Sequence, residues 1–127
     1  MKKTPIFCAD APTEAGPYSH AMRCGNFLFV SSHGSVDQSV GKIPPGGVAA
    51  EAEQCVKNIR AILKSAGMDM HNVVKTTLYL TDMKHYAAVN EVYAKAFTAP
   101  YPARSTMEVK ALPLGCLVEI DAIAMQE

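Results

Sequence analysis

The sequence predicts an α+β domain, with two amphipathic helices laid on one face of a β-sheet. Apolar side chains recur at spacings of three and four through residues 48–66, and again from Met83 to Phe97. Before, between and after these stripes lie β-branched and aromatic runs bounded by turn formers. The expected order is two strands, helix, strand, helix, two strands, in one unit spanning residues 1–127 without linkers or repeats.

Ile6 to Ala9 is expected as a short first strand, followed by the turn-rich stretch APTEAGPYSHAM. Gly25-Asn26 signals a turn before the apolar run Phe27 to Ser32, the second strand, which a kink at Gly34 could extend. Gln38 to Gly47 reads as a loop. The first helix follows, its stripe made by Val48, Ala52, Cys55, Val56, Ile59, Ile62, Leu63 and Ala66. Gly67 suits the left-handed residue that ends a helix. Val73 to Leu80 is β-branched and aromatic, hence a strand. Thr81 or Asp82 can cap the second helix, whose stripe is Tyr86, Val89, Tyr93 and Phe97. Pro100 and Pro102 close it. Ala103 to Lys110 and Leu117 to Met125 are the last strands, with LPLG as a turn between them. Helices on one face leave the other face of the sheet with Val, Leu, Met and Ile at alternate positions. A homo-oligomer packing sheet faces together would cover it.

Twelve basic and twelve acidic side chains cancel, so the chain lacks the electrostatic footprint of a phosphate-backbone binder, and nucleic acid is not the expected partner. The four cysteines, at 8, 24, 55 and 116, form no CxxC pair and have no histidine at metal-ligand spacing. They read as reduced, packed thiols in a reducing compartment. MKKTPIFCADAP has no long apolar run behind its lysines, so neither a signal peptide nor a membrane anchor is expected, and cytoplasm is the default. No phosphate-cradling glycine loop, GxSxG elbow or Cys–His signature is present.

Two strands destined for a core each carry a charge: Arg104 in YPARSTMEV and Glu119 in LVEIDAIAM. Alternation puts Arg104, Thr106 and Glu108 on one side of their strand, and Leu117, Glu119, Asp121 and Ile123 on one side of theirs. Because the strands are sequential and briefly connected, Arg104 and Glu119 are expected to be neighbours in the sheet. A cross-strand ion pair on a solvated face, worth a fraction of a kcal/mol, is the weightier reading on pattern alone. The sharper reading is a site: a guanidinium fork for a carboxylate, with a carboxylate nearby to position water. Tyr18, in the loop GPYSH, can lie over a pocket or simply pack. Ser31 and Ser32 end an apolar run and can face a ligand or a strand edge. His33 is a candidate acid–base group, although a histidine without a partner is more often structural. Asn90 sits among apolar neighbours on the second helix. His20, His71 and His85 belong to no constellation.

At these residues the chain resembles the Rid family, the reactive intermediate deaminases also called YjgF or L-PSP proteins. The resemblance spans nearly the whole chain, through AGPYSHA, NVVKTTLYLTDM, AVNEVYAKAF, YPARSTMEVKALP and LVEIDAIAM. It implies a chorismate-mutase-like α+β fold and a homotrimer, in which three sheets form a central barrel with clefts between subunits. It also implies hydrolysis of the 2-imino acids 2-iminopropanoate and 2-iminobutanoate to 2-keto acids and ammonia, with no cofactor and no metal. By the resemblance, Arg104 binds the substrate carboxylate and Glu119 holds the attacking water. Tyr18 and Ser31 line the cleft, Asn90 supports it, and backbone groups around Ser105 and Thr106 hold the imine nitrogen. Thr106 departs from the cysteine common at its position, and SSHGSV from the commoner SGQ-type run, which brings Ser32 and His33 to the pocket floor. The competing readings are a single-strand endoribonuclease or translation inhibitor, a non-catalytic binder of a small keto or amino acid, and a chaperone-like surface.

Overall fold

Every strand expected from Phe27 onward forms within two residues of its expected bounds, as does the first helix, while the second begins three residues later than expected, after a 3₁₀ turn. The computed structural model describes residues 2–127. Its strands are β1 (Lys3–Ile6), β2 (Ala21–Cys24), β3 (Phe27–His33), β4 (Val73–Leu80), β5 (Ala103–Glu108) and β6 (Val118–Met125). The helices are α1 (Val48–Ser65) and α2 (Tyr86–Ala96), the second entered through a 3₁₀ turn at Met83–His85. The first strand lies earlier than expected, and β2 is a strand that pattern reading did not find.

The physics of each helix is visible in its ends. Ala52, Cys55, Ile59, Ile62 and Leu63 of α1 are buried, as their spacing requires. Gly67 takes φ 76°, and the N–H groups of Gly67 and Met68 donate to the carbonyls of Lys64 and Leu63. That is a Schellman ending, which satisfies carbonyls the helix would otherwise leave unpaired. Asp82 accepts a hydrogen bond from the Lys84 N–H at 2.9 Å and so starts the turn into α2.

The six strands form one sheet in the order β1-β2-β3-β6-β4-β5. Cys24 opposes Phe27, so Gly25 and Asn26 are a two-residue hairpin turn, with Gly25 at φ 60°. β4 and β5 are parallel, joined by α2 as a crossover. β6 lies between β3 and β4 and is antiparallel to both. This corrects the expected neighbourhood of Arg104 and Glu119: β5 pairs with β4, and β4 stands between β5 and β6.

Leu28, Val30, Thr76, Leu78, Leu80, Val118, Ile120 and Ala122 are buried on the helix-covered face. The Val and Leu positions expected on the open face are therefore largely in the core. The open face instead carries Phe27, Phe29, Met107 and Met125, each at least 40% exposed. Among them lie Thr77, Tyr79 and Asp121, linked because Asp121 accepts from the Thr77 N–H at 3.0 Å and the Tyr79 hydroxyl at 2.9 Å. Cys8, Cys55 and Cys116 are buried thiols. Among the described residues, no helix is long and apolar enough to cross a membrane. Nor does any group of three or more His, Cys, Asp or Glu side chains gather to hold a metal ion.

Candidate functional site

The candidate residues fall into two separate clefts. One, of about 310 Å³, lies where the loop between β1 and β2 folds over the end of β3; Tyr18, Ser31, His33, Leu114 and Glu119 line it. The other, of about 370 Å³, lies between α2 and the edge strand β5; Asn90, Tyr93, Tyr101 and Arg104 line it. Ser105 and Thr106 follow Arg104 along β5 and line neither cleft.

A β-bulge shapes the first cleft. Val30 opposes Ala122 and His33 opposes Ile120, so Ser31 and Ser32 together face the one residue between, Asp121. The extra residue bends the strand end and re-aims its side chains. The Ser31 hydroxyl donates to the Ser19 carbonyl at 2.8 Å, tying the loop that carries Tyr18 to β3. Tyr18 reaches back over that loop, its hydroxyl accepting the Ala15 N–H at 3.1 Å. Gly34 follows the bulge because nothing larger fits: a Cβ there would come within 2.6 Å of the Cys116 Sγ.

His20, to which sequence reasoning gave no role, is the hub of this wall. It is buried, its Nδ1 accepts the Cys8 N–H at 2.9 Å, and its Nε2 meets the Pro12 carbonyl at 2.7 Å. An amide N–H only donates and a carbonyl only accepts, so the proton resides on Nε2. The His20 carbonyl accepts the Ser31 N–H at 3.0 Å and faces the His33 Nε2 at 3.3 Å. His33 is likewise buried, and burial lowers its pKa to about 4, so it is uncharged at neutral pH. The sequence signal for His20 was its place in a proline-rich loop, where buried backbone groups need side-chain partners.

Glu119 enters the cleft half-buried, and desolvation raises its carboxyl pKa above the ordinary value. A second carboxylate close by is structural. Glu51 Oε1 accepts from the Ser35 hydroxyl at 2.7 Å and the Leu117 N–H at 2.9 Å, pinning α1 to the start of β6.

The second cleft is built around a cation. The Arg104 guanidinium lies 4.8 Å from the Tyr93 ring centroid and 5.6 Å from that of Tyr86. Its Nη2 donates to the Tyr86 hydroxyl at 3.0 Å. Tyr93 is itself fixed by a 2.7 Å hydrogen bond to Thr76 Oγ1. No carboxylate among the described residues pairs with Arg104. In the same cleft Asn90 Oδ1 is buried without a hydrogen-bond partner. Tyr86 and Tyr93, which the sequence pattern marks only as an apolar stripe, are thus the partners of Arg104.

Arg104 pairs in register with Thr76, on the helix-covered face, and Glu119 with Tyr79, on the open face. The expected cross-strand ion pair therefore does not exist within one chain. Each charge is the centre of its own cleft.

The comparisons with known proteins agree with this architecture. The RutC family protein y4sK of Sinorhizobium fredii is 47% identical over 119 residues, covering 94% of each chain. The 2-iminobutanoate/2-iminopropanoate deaminase of Mus musculus is 47% identical over 121 residues, covering 95% of this chain and 90% of its own. The crystal structure of RidA from an Antarctic Psychrobacter superposes with a TM-score of 0.93 at 37% identity, covering 97% of this chain and 99% of that one. The family model described as Endoribonuclease L-PSP matches residues 8–126, and with that match the chain belongs to the L-PSP family, the YjgF/RutC/Rid proteins of the resemblance.

Proposed function

We propose that the protein hydrolyses 2-imino acids such as 2-iminopropanoate and 2-iminobutanoate to 2-keto acids and ammonia, in clefts completed by a neighbouring copy. One observation carries this reading: Arg104 lies against two tyrosine rings with no carboxylate partner among the described residues, a guanidinium available to an anion from outside. The identity to a deaminase over nearly the full chain supports the choice of substrate.

The assembly is part of the proposal. Phe27, Phe29, Met107 and Met125 leave an apolar open face that a homotrimer would bury by turning three sheets inward. In the assembly proposed, the Arg104 cleft of one copy lies against the Glu119 cleft of the next. The substrate carboxylate then binds Arg104, with Asn90 and backbone groups near Ser105 and Thr106 holding the rest of the imine. Glu119 takes a proton from water as the oxygen attacks the imine carbon. Glu119 returns that proton to the nitrogen to give the carbinolamine, then takes the hydroxyl proton as the carbonyl forms and passes it to the nitrogen, which leaves as ammonia. No cofactor enters this sequence. Tyr18 and Ser31 form the wall behind the attacked carbon, and uncharged His33 lacks the acidic imidazolium proton of a general acid.

The test couples a serine/threonine dehydratase to semicarbazide trapping. The protein is expected to divert imine to free keto acid and so lower the yield of semicarbazone. Unchanged semicarbazone formation would sink the deaminase reading. Cleavage of single-stranded RNA by highly purified protein, lost on Arg104→Ala, would favour the ribonuclease instead.

A further inference from the structure

Leu114 combines two features that folding does not favour. It sits at φ 61°, ψ 13°, a left-handed conformation that strains a leucine and suits glycine or asparagine. Its side chain is also 73% exposed, more than any other large apolar residue among those described. Neither feature is an accident of a loose loop. Pro113 precedes it, Gly115 follows at φ 78°, and the turn is closed by the N–H groups of Gly115 and Cys116 bonding the carbonyls of Leu112 and Pro113. The turn aims an apolar side chain at the rim of the Glu119 cleft, which Tyr18 also lines.

Within one chain the Glu119 cleft has a volume of about 310 Å³, and in the proposed assembly the neighbouring copy closes its open side. In the proposed pose the carboxylate lies on Arg104 of the neighbouring copy and the water on Glu119 of this one, and the remaining substituent of the imine carbon is taken on the Glu119 side. Beside the polar groups of Glu119, Thr13, His33 and the serines, the cleft offers an apolar and aromatic side made by Pro12, Tyr18, Val36 and Leu114.

We infer that Leu114 is a specificity-determining residue, which covers the substrate's own side chain and favours imino acids with a larger apolar group over 2-iminopropanoate. This rests on the deaminase reading above. The strain at residue 114 is the cost of presenting a leucine where the turn would accept glycine.

The experiment compares imines generated by an amino-acid oxidase from leucine and from alanine, each scored by competition with semicarbazide. Wild type is expected to prefer the leucine-derived imine. Leu114→Asn is near-isosteric and tolerates the left-handed backbone, and Leu114→Gly suits it fully. In both variants the ratio of kcat/KM values should fall about tenfold, through loss on the larger imine. Melting temperature should stay level or rise, and the mass by light scattering should not change. An unchanged ratio, an equal loss on both imines, or a changed mass would overturn the inference while leaving the deaminase reading standing. Failure of wild type to divert either imine would overturn both.

Discussion

Arg104→Ala is expected to lower imine hydrolysis at least a hundredfold and to leave the protein folded. Two charge-assisted hydrogen bonds from a guanidinium to a carboxylate are worth about 3 kcal/mol or more together, and about 1.4 kcal/mol is a tenfold change in rate. The structural loss is smaller: one hydrogen bond to Tyr86 and stacking on two rings at a partly exposed site. Such contacts contribute about 1 kcal/mol, so the melting temperature should drop by only a few degrees. Arg104→Lys keeps the charge and loses the planar fork, and should recover only part of the activity. Steady-state rates and calorimetry on both variants check this. Full activity in the alanine variant would remove Arg104 from the mechanism.

Glu119→Gln is expected to be inactive and, at neutral pH, at least as stable as wild type. Burial raises the Glu119 pKa, so the folded protein holds that proton more tightly than the unfolded chain does. Its contribution to stability is therefore fully present below the unfolded carboxylate's pKa and lost as pH rises through the folded value. Glutamine keeps the shape without the buried charge, and escapes that loss. For catalysis the requirement is opposite, because the base must be ionised. As pH falls, the wild-type rate should drop through an apparent pKa raised above the ordinary glutamate value, and the glutamine variant should lose at least about a hundredfold wherever the wild type is active. A pH–rate profile beside melting curves measures both. A glutamine variant that keeps its rate would show that Glu119 does not serve as the base.

Much of the fold is legible in local pattern. α1 could be bounded from its stripe and from Gly67, because both its burial and its ending are local properties. What failed was the long-range pairing. Sequential strands joined by a short connection suggested that β5 and β6 are neighbours, yet a helical crossover made β5 the parallel partner of β4 instead. The connection at residues 109–117 then passes the end of β4 to reach β6. β2 was missed for a different reason: four residues, AMRC, are too few to show alternation. Gly25-Asn26 was the clue, since a two-residue turn of that type implies a strand on both sides. Of the candidate residues, Arg104 and Glu119 stood out as charges inside apolar strands. His20 did not, because its role is to satisfy backbone groups of a loop whose path only the fold reveals.

The position of β4 between the two charges makes complementation possible. If Arg104 of one copy serves Glu119 of the next, each of the two inactive variants still carries one sound half of every cleft. Assembled together in equal amounts, Arg104→Ala and Glu119→Gln chains would form about a quarter of their clefts from two intact halves. Co-expressed with different tags and purified through both, the mixed oligomer should regain activity that neither parent has. A chain that held both halves of its own site would gain nothing from mixing.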